Sequence, residues 1–345
     1  MDKKIRIAAI IFLLAIILYQ PIITNFKIIL FITEEFPQIP IKPLGIFTGK
    51  PSHKKVELDS ENGKIVGDLF IPNQILRLTS FAQDRSALIV AMGIKTAEDD
   101  KPLILNFSET MARLGYVTFW PRLDVLDKGQ SLPEEPDTFI KSFNYLSQQN
   151  FVSPKKISFM GFSVGSSVAM RAAEDPQISD KVHGLIFFGG YFDVFDYYIS
   201  LATKTTQLNG QTLAWIPSPD AVSHAKGLLE TGKANQLVKI FEASTSSQAY
   251  GLVRKAPKEE VDGLKKYNPK ENLADFKASV FILHDQADTY VPYTESVRLN
   301  QALAGKVEKE FLLLNLFEHV QPNRPINVFQ LAKLYGFLYK VLSSI

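Results

Sequence analysis

The chain has no cysteine in its 345 residues. That excludes disulfides, thiolate metal sites and a cysteine nucleophile. It leaves the compartment open, because a cysteine-free protein tolerates either redox state. Histidine is scarce as well, five in all, with no His-x-x-x-His pair, so metal-ligand spacing has little support and no metal is expected. Charge of one sign is also missing. Thirty-eight basic residues against 36 acidic ones leave a net charge of +2, and no basic stripe is interleaved with aromatics. Nothing here suggests a nucleic-acid surface. No internal repeat or low-complexity tract is present. What the chain does have is 46% apolar content, enough for one large core or two smaller ones.

The apolar residues are unevenly placed. Lys3, Lys4 and Arg6 precede an uncharged run from Ile7 to Phe26 that begins IAAIIFLLAIIL. About 20 such residues span a bilayer core, and the basic residues stay on the cytoplasmic side. A cleaved signal peptide would want a small-x-small site after the run, and YQPIITNF has none. A helix packed on a domain would show a polar side, and this segment is apolar all round. The expectation is an uncleaved signal-anchor over residues 1–33, N-terminus cytoplasmic and the rest outside the cytoplasm, with the bilayer as partner. Residues 34–53 hold Pro37, Pro40, Pro43 and Pro51 and read as an extended linker. Residues 54–345 form the globular domain.

That domain opens with VELDSENGKIVGDLFIP, two alternating runs around an Asn-Gly turn, hence a β-hairpin. Short apolar strands then alternate with helical periodicity. Strands are expected at 86–92, 116–120, 156–160, 182–188, 279–284 and 309–315, and helices at 102–115, 137–149, 294–303 and 327–342. Such alternation implies a mostly parallel sheet covered on both faces, an α/β architecture. Residues 193–270 break the rhythm with no clear strand and read as a helical cap insertion.

ISFMGFSVGSSVAM, residues 157–170, carries Gly-x-Ser-x-Gly. By composition alone that pattern arises in a chain this long about one time in ten, so its context decides. It leaves a strand and opens a helix. A nucleophile on such a strained tip needs neighbours without bulk, and Gly161 and Gly165 meet that need. The Val164 N–H, at the positive end of the helix, can hold an oxyanion. A second donor is expected from the loop after the first parallel strand, at Gly93 or Ile94. Ser163 needs a base, and the base an orienting acid. His319 follows the last strand and Asp288 the penultimate one, so Ser163, Asp288 and His319 run in the chain order of one hydrolase architecture. His284 reads as a structural residue at a strand end. His53, His183 and His224 carry no functional expectation. Trp120, after a strand, is a candidate for lining a substrate pocket.

On these residues the chain resembles the α/β-hydrolases, of the dienelactone-hydrolase and esterase-like kind, over about residues 54–342. GFSVG is similar to the nucleophile elbow of that family. HDQADTYVP resembles its H-G-x-x-D-x-x-V-P acid loop, with Asp285 in the glycine position, and FEHVQP resembles its histidine loop. The resemblance implies Ser163 as nucleophile, His319 as general base then acid, and Asp288 as orienting acid. The extra carboxylate makes Asp285 an alternative partner for His319. The loop MGIKT lacks the His-Gly-Gly run of many lipases, so Gly93 and Ile94 rest on position alone. The expected activity is hydrolysis of small-molecule carboxylic esters through an acyl-serine, without a cofactor. A serine peptidase with the same triad, and an inactive hydrolase-like binding protein, are the alternatives.

Overall fold

The computed structural model describes residues 3–61, 63–73, 84–93, 101–123 and 135–345, residues 3–18 by their backbone alone. It opens with α1 (Lys3–Glu35) and α2 (Leu44–Phe47), then the hairpin β1 (Ser52–Ser60) and β2 (Gly63–Ile71). There follow β3 (Arg85–Ala91), α3 (Lys101–Arg113), β4 (Val117–Leu123), α4 (Pro136–Ser147), β5 (Val152–Phe162), α5 (Val164–Ala173) and β6 (Gly184–Phe188). The insertion holds α6 (Val194–Thr203), β7 (Thr205–Leu208), β8 (Gln211–Ala214), α7 (Pro219–Thr231), α8 (Ser246–Lys255) and α9 (Lys258–Lys265). The chain closes with β9 (Ser279–Asp285), α10 (Thr294–Ala302), β10 (Lys309–Leu314) and α11 (Val328–Ser344).

Eight strands form one sheet in the order β1-β2-β4-β3-β5-β6-β9-β10. From β4 to β10 every pairing is parallel, while β1 and β2 add an antiparallel edge. Side chains alternate across a strand, so each central strand feeds two cores. In β3, Ala87, Ile89 and Ala91 enter one core while Leu88 and Val90 enter the other. Leu185 and Phe187 of β6, and Val280 and Ile282 of β9, face the α4, α5 and cap side; Ile186, Phe188, Phe281 and Leu283 face the α1, α3 and α11 side. These strands therefore read as continuous apolar runs.

Two expectations change. The cap is not purely helical: β7 and β8 pair around Asn209 and Gly210, both at positive φ, the conformation an Asn-Gly hairpin turn requires. The N-terminal segment also packs where an extended linker was expected. Helix α1 runs on to Glu35, and Phe36 and Leu44 of the expected linker are buried in the second core beside Ile28, Leu30 and Ile32 of the segment before it. Lys42 Nζ donates to the carbonyls of Thr33, Glu34 and Phe36 at 2.8, 2.8 and 2.9 Å, closing the end of the helix. Gln38 Nε2 donates to the Pro322 and Arg324 carbonyls at 2.6 and 3.0 Å. The prolines turn the chain without detaching it. Among the described residues no helix is long and apolar enough to cross a membrane.

The antiparallel edge holds a buried charge. Asp68 of β2 is fully buried and meets Arg122 Nη1 of β4 at 2.7 Å, with Lys55 Nζ and His53 Nε2 of β1 each at 2.6 Å. Burial raises the carboxyl, but the hydrogen bonds from Lys55, Arg122 and His53 outweigh it and hold Asp68 below the usual carboxylate range. Asp68→Ala leaves buried Arg122 without this carboxylate and is expected to cost about 3–5 kcal/mol of stability in urea unfolding. A loss under about 1 kcal/mol would mean that the pair behaves as a surface ion pair.

Candidate active site

The site lies where the sheet changes direction. Strand β4 lies on one side of β3 and β5 on the other, and open α/β sheets bind ligands at the carboxyl ends of strands at such a switch point. Ser163 leaves β5 at φ 54° and ψ −138°, a region that L-residues rarely occupy. Its N–H donates to the Phe188 carbonyl at 2.8 Å, tying the corner to β6. The glycines explain how the corner fits. A Cβ on Gly161 would lie 2.2 Å from Ser166 Cα, and one on Gly165 would lie 2.3 Å from Met92 O. A Cβ on Gly93 would lie 2.9 Å from Ser163 Cβ and 3.1 Å from its Oγ. Gly93 thus brings the end of β3 against the serine, and the Val164 N–H stands in the first turn of α5. Ile94 lies outside the described residues.

Asp288 is fully enclosed by partners. His319 Nδ1 donates to its Oδ2 at 2.7 Å. The N–H groups of Tyr290 and Val291 donate to Oδ1 at 2.7 and 3.1 Å. Buried His284 places Nε2 3.3 Å from Oδ2 and 3.0 Å from the Val291 carbonyl. Both of those neighbours are acceptors, so Nε2 carries the proton. Ser296 Oγ, 2.7 Å from Nδ1, holds the other side of the ring. Burial by itself would raise the Asp288 carboxyl. His319, facing it, and the hydrogen bonds from both histidines overcome that and hold it far below the usual carboxylate range.

His319 sits at the tip of a tight turn, at φ 57°, with Glu318 and Gln321 bonded to each other across it at 2.8 and 3.1 Å. Tyr290 stacks on its ring at 4.8 Å between centroids. With Nδ1 committed to Asp288, Nε2 is left to accept a proton. Asp285, the alternative acid, is engaged elsewhere. Its Oδ2 accepts from the Leu316 and Phe317 N–H groups at 2.7 and 2.8 Å, fastening the histidine loop to β9.

Ser163 and His319 face one cavity of about 1130 Å³. Among the described residues no hydrogen bond joins Ser163 Oγ to the imidazole, and pairs of this kind often tighten only when substrate binds. The cap contributes Tyr197, Ala221 and His224 to the walls, and α3 contributes Leu103, Ile104 and Phe107. The sequence reading missed the third wall, made by Glu34, Glu35, Pro37, Lys42 and Leu44. Burial pushes the Glu35 carboxyl up to about 7; a Thr110 hydrogen bond lowers it, Glu34 raises it, and Lys42 lowers it. Trp120 does not line this cavity. It is fully buried in the second core, with the Arg122 guanidinium 4.4 Å over its ring, because its position in β4 turns it inward. Among the described residues no three His, Cys, Asp or Glu side chains are grouped to hold a metal ion.

No family model and no curated protein matches the chain. Solved structures do. The chain is similar to 2,6-dihydroxy-pseudo-oxynicotine hydrolase at 16% identity and a TM-score of 0.54, over 85% of this chain and 68% of that one. It is similar to dipeptidyl peptidase 4 from Porphyromonas gingivalis at 12% and 0.54, over 85% of this chain and 35% of that one. An acylaminoacyl peptidase also matches at 12% and 0.54, over 88% of this chain and 43% of that one. The chain therefore spans less than half the length of the two peptidases. At such identities the likeness establishes the fold: this is an α/β-hydrolase fold, shared with hydrolases that include peptidases.

Two expectations test the geometry. Ser163→Gly removes the Cβ that makes φ 54° costly, so it should be more stable than Ser163→Ala by about 1 kcal/mol in chemical denaturation; an equal or lower stability would mean that the corner holds no strain. Because Asp288 is depressed in the folded state, its contribution to stability is complete above the unfolded value near 3.9 and is lost as pH falls below it. Asp288→Asn should flatten the stability profile on that acid side, and an unchanged profile would place the acid loss elsewhere.

Proposed function

We propose that the protein is a serine hydrolase of carboxylic esters, working through an acyl-enzyme on Ser163. The carrying observation is the 2.7 Å bond from His319 to buried, ionised Asp288, beside a serine held on a strained corner of the same cavity. Asp288 fixes the tautomer in which Nε2 is free. His319 takes the Ser163 proton as Oγ attacks the ester carbonyl. The Val164 N–H, helped by the Gly93 loop, receives the oxyanion of the tetrahedral intermediate. His319 then gives its proton to the departing alkoxide, and the alcohol leaves. Water, deprotonated by His319, attacks the acyl-serine. Collapse of the second tetrahedral intermediate releases the acid and returns the proton to Ser163.

An ester is preferred to a peptide because the acidic stretch at Asp193 and Asp196 offers no site for a peptide amine: neither residue lines the cavity and both are already engaged. Asp193 caps α6 through the Phe195 N–H at 3.0 Å and meets Lys270 at 2.7 Å, while Asp196 is bonded to Arg298 and Tyr250. We further propose that residues 7–26 anchor the enzyme as a single span, with the domain outside the cytoplasm; the charge-free run and its basic flank support this.

A fluorophosphonate probe should label the wild type and not Ser163→Ala, and should label His319→Ala and Asp288→Asn at least about a hundredfold more slowly, in line with loss of a general base. Folded wild-type protein that takes no label would favour the binding-protein alternative. Faster turnover of a peptide amide than of its matching ester would favour the peptidase.

A further inference from the structure

The wall built by the N-terminal segment adjoins an apolar surface. On α1, Ile22, Phe26 and Ile29 fall at i, i+4 and i+7 and share one face. Ile22 and Ile29 are 61% and 51% exposed. Phe47 of α2 packs edge-on against Phe26, ring centroids 5.3 Å apart, and neighbouring Ile46 is 80% exposed. A cluster of this kind, rather than scattered single residues, marks an interaction surface. Its position along the chain identifies the occupant. Phe26 is the last residue of the uncharged run that began at Ile7, so the ring contact sets Phe47 and Ile46 level with the end of that run.

The same short helix reaches the active-site cavity from its other side, where Leu44 and Gly45 form part of the wall. Glu34, also on the wall, is eight residues past Phe26, about 12 Å along a helix. That is within the roughly 15 Å depth of acyl chain in one leaflet, half of the ~30 Å hydrocarbon core. The cavity suits an amphiphile. Leu103, Ile104 and Phe107 give an apolar side, Glu34, Glu35 and Lys42 a charged one, and 1130 Å³ exceeds the ~300–1,000 Å³ that holds a drug-sized ligand.

We infer that α2 lies at the lipid surface where the span ends and that the cavity takes long-chain acyl esters directly from the bilayer, the acyl chain lying along α3 toward Ser163. This rests on the serine-esterase and membrane-anchor readings above. A docked α2 removes the exposed apolar area of Ile46 and Phe47 from water and holds the α2 wall of the cavity at the lipid surface.

The test uses the full chain reconstituted in phosphatidylcholine vesicles. Two substrates are compared: p-nitrophenyl butyrate in solution and p-nitrophenyl palmitate dissolved in the vesicles. Ile46→Ser with Phe47→Ser should leave butyrate turnover and fluorophosphonate labelling at the wild-type level while lowering palmitate turnover by about tenfold or more. Ile216→Ser, equally exposed at 79% but on the cap, should change neither. If the double variant loses its label and so its fold, Ile46→Ser alone serves, since that side chain is almost wholly in solvent. Unchanged palmitate turnover in a labelled variant overturns the inference and leaves the esterase reading standing. An equal fall with both substrates overturns it as well. A wild type inert to both esters and to the probe removes the esterase reading, and this inference with it.

Discussion

Around Ser163, at three glycines, neighbouring atoms occupy space that a side chain would normally hold. The end of β3 passes so close to α5 that a Cβ on Gly165 would overlap the Met92 carbonyl, and the last turn of β5 approaches α5 so closely that a Cβ on Gly161 would overlap Ser166. Gly93 closes the third side against the serine itself. These approaches place the hydroxyl at a fixed point above the sheet, with a free helix N-terminus at its side. They also leave the cavity little choice of location, since it must open over the junction of β3 and β5.

Asp285 and Asp288 divide the work of the second loop. Both are buried carboxylates in one short turn, and repulsion between them would be costly without separate donors. Asp285 takes two backbone N–H groups from the segment after β10, which fixes where that segment leaves the sheet. Asp288 takes two backbone N–H groups from its own loop on one oxygen and two histidines on the other. The position of His319 therefore depends on both acids, one through the backbone and one through the ring. His284 contributes from below. It is held by Ser296 and by the Val291 carbonyl, with Nε2 3.3 Å from the Asp288 carboxylate.

What could be read from the sequence divides along a physical line. Features fixed by local covalent spacing were legible: Gly161 and Gly165 around Ser163, the chain order of serine, acid and histidine, and strand runs apolar on both faces. Features that depend on which distant backbone supplies a partner were not. The prolines between 37 and 51 looked like a spacer because the carbonyls of Pro322 and Arg324, which hold Gln38, lie far away in sequence. The left-handed turn at His319 carries no glycine to announce it. Trp120 was misplaced because the run YVTFW gives no sign of which face looks inward; the register with β2 sets Trp120 opposite buried Asp68. The cap hairpin is a different kind of miss, since Asn209-Gly210 is the same signal that located the first hairpin.

The third cavity wall changes how the fold should be viewed. In an α/β sheet the reacting groups sit on strand ends, whose positions are set by two cores, while the walls come from whatever segments cover the crevice. Here one cover is the cap, and the other is the segment that follows the apolar N-terminal run. That second cover is bound to the domain by the buried face of α1, by Lys42 over the end of the helix, and by Gln38 on the histidine loop. Displacing α1 would therefore open the cavity on one side and loosen the loop that carries His319, because a single segment supports both. The N-terminal segment is thus part of the cavity wall, and a truncation that removed it would leave the cavity open on that side.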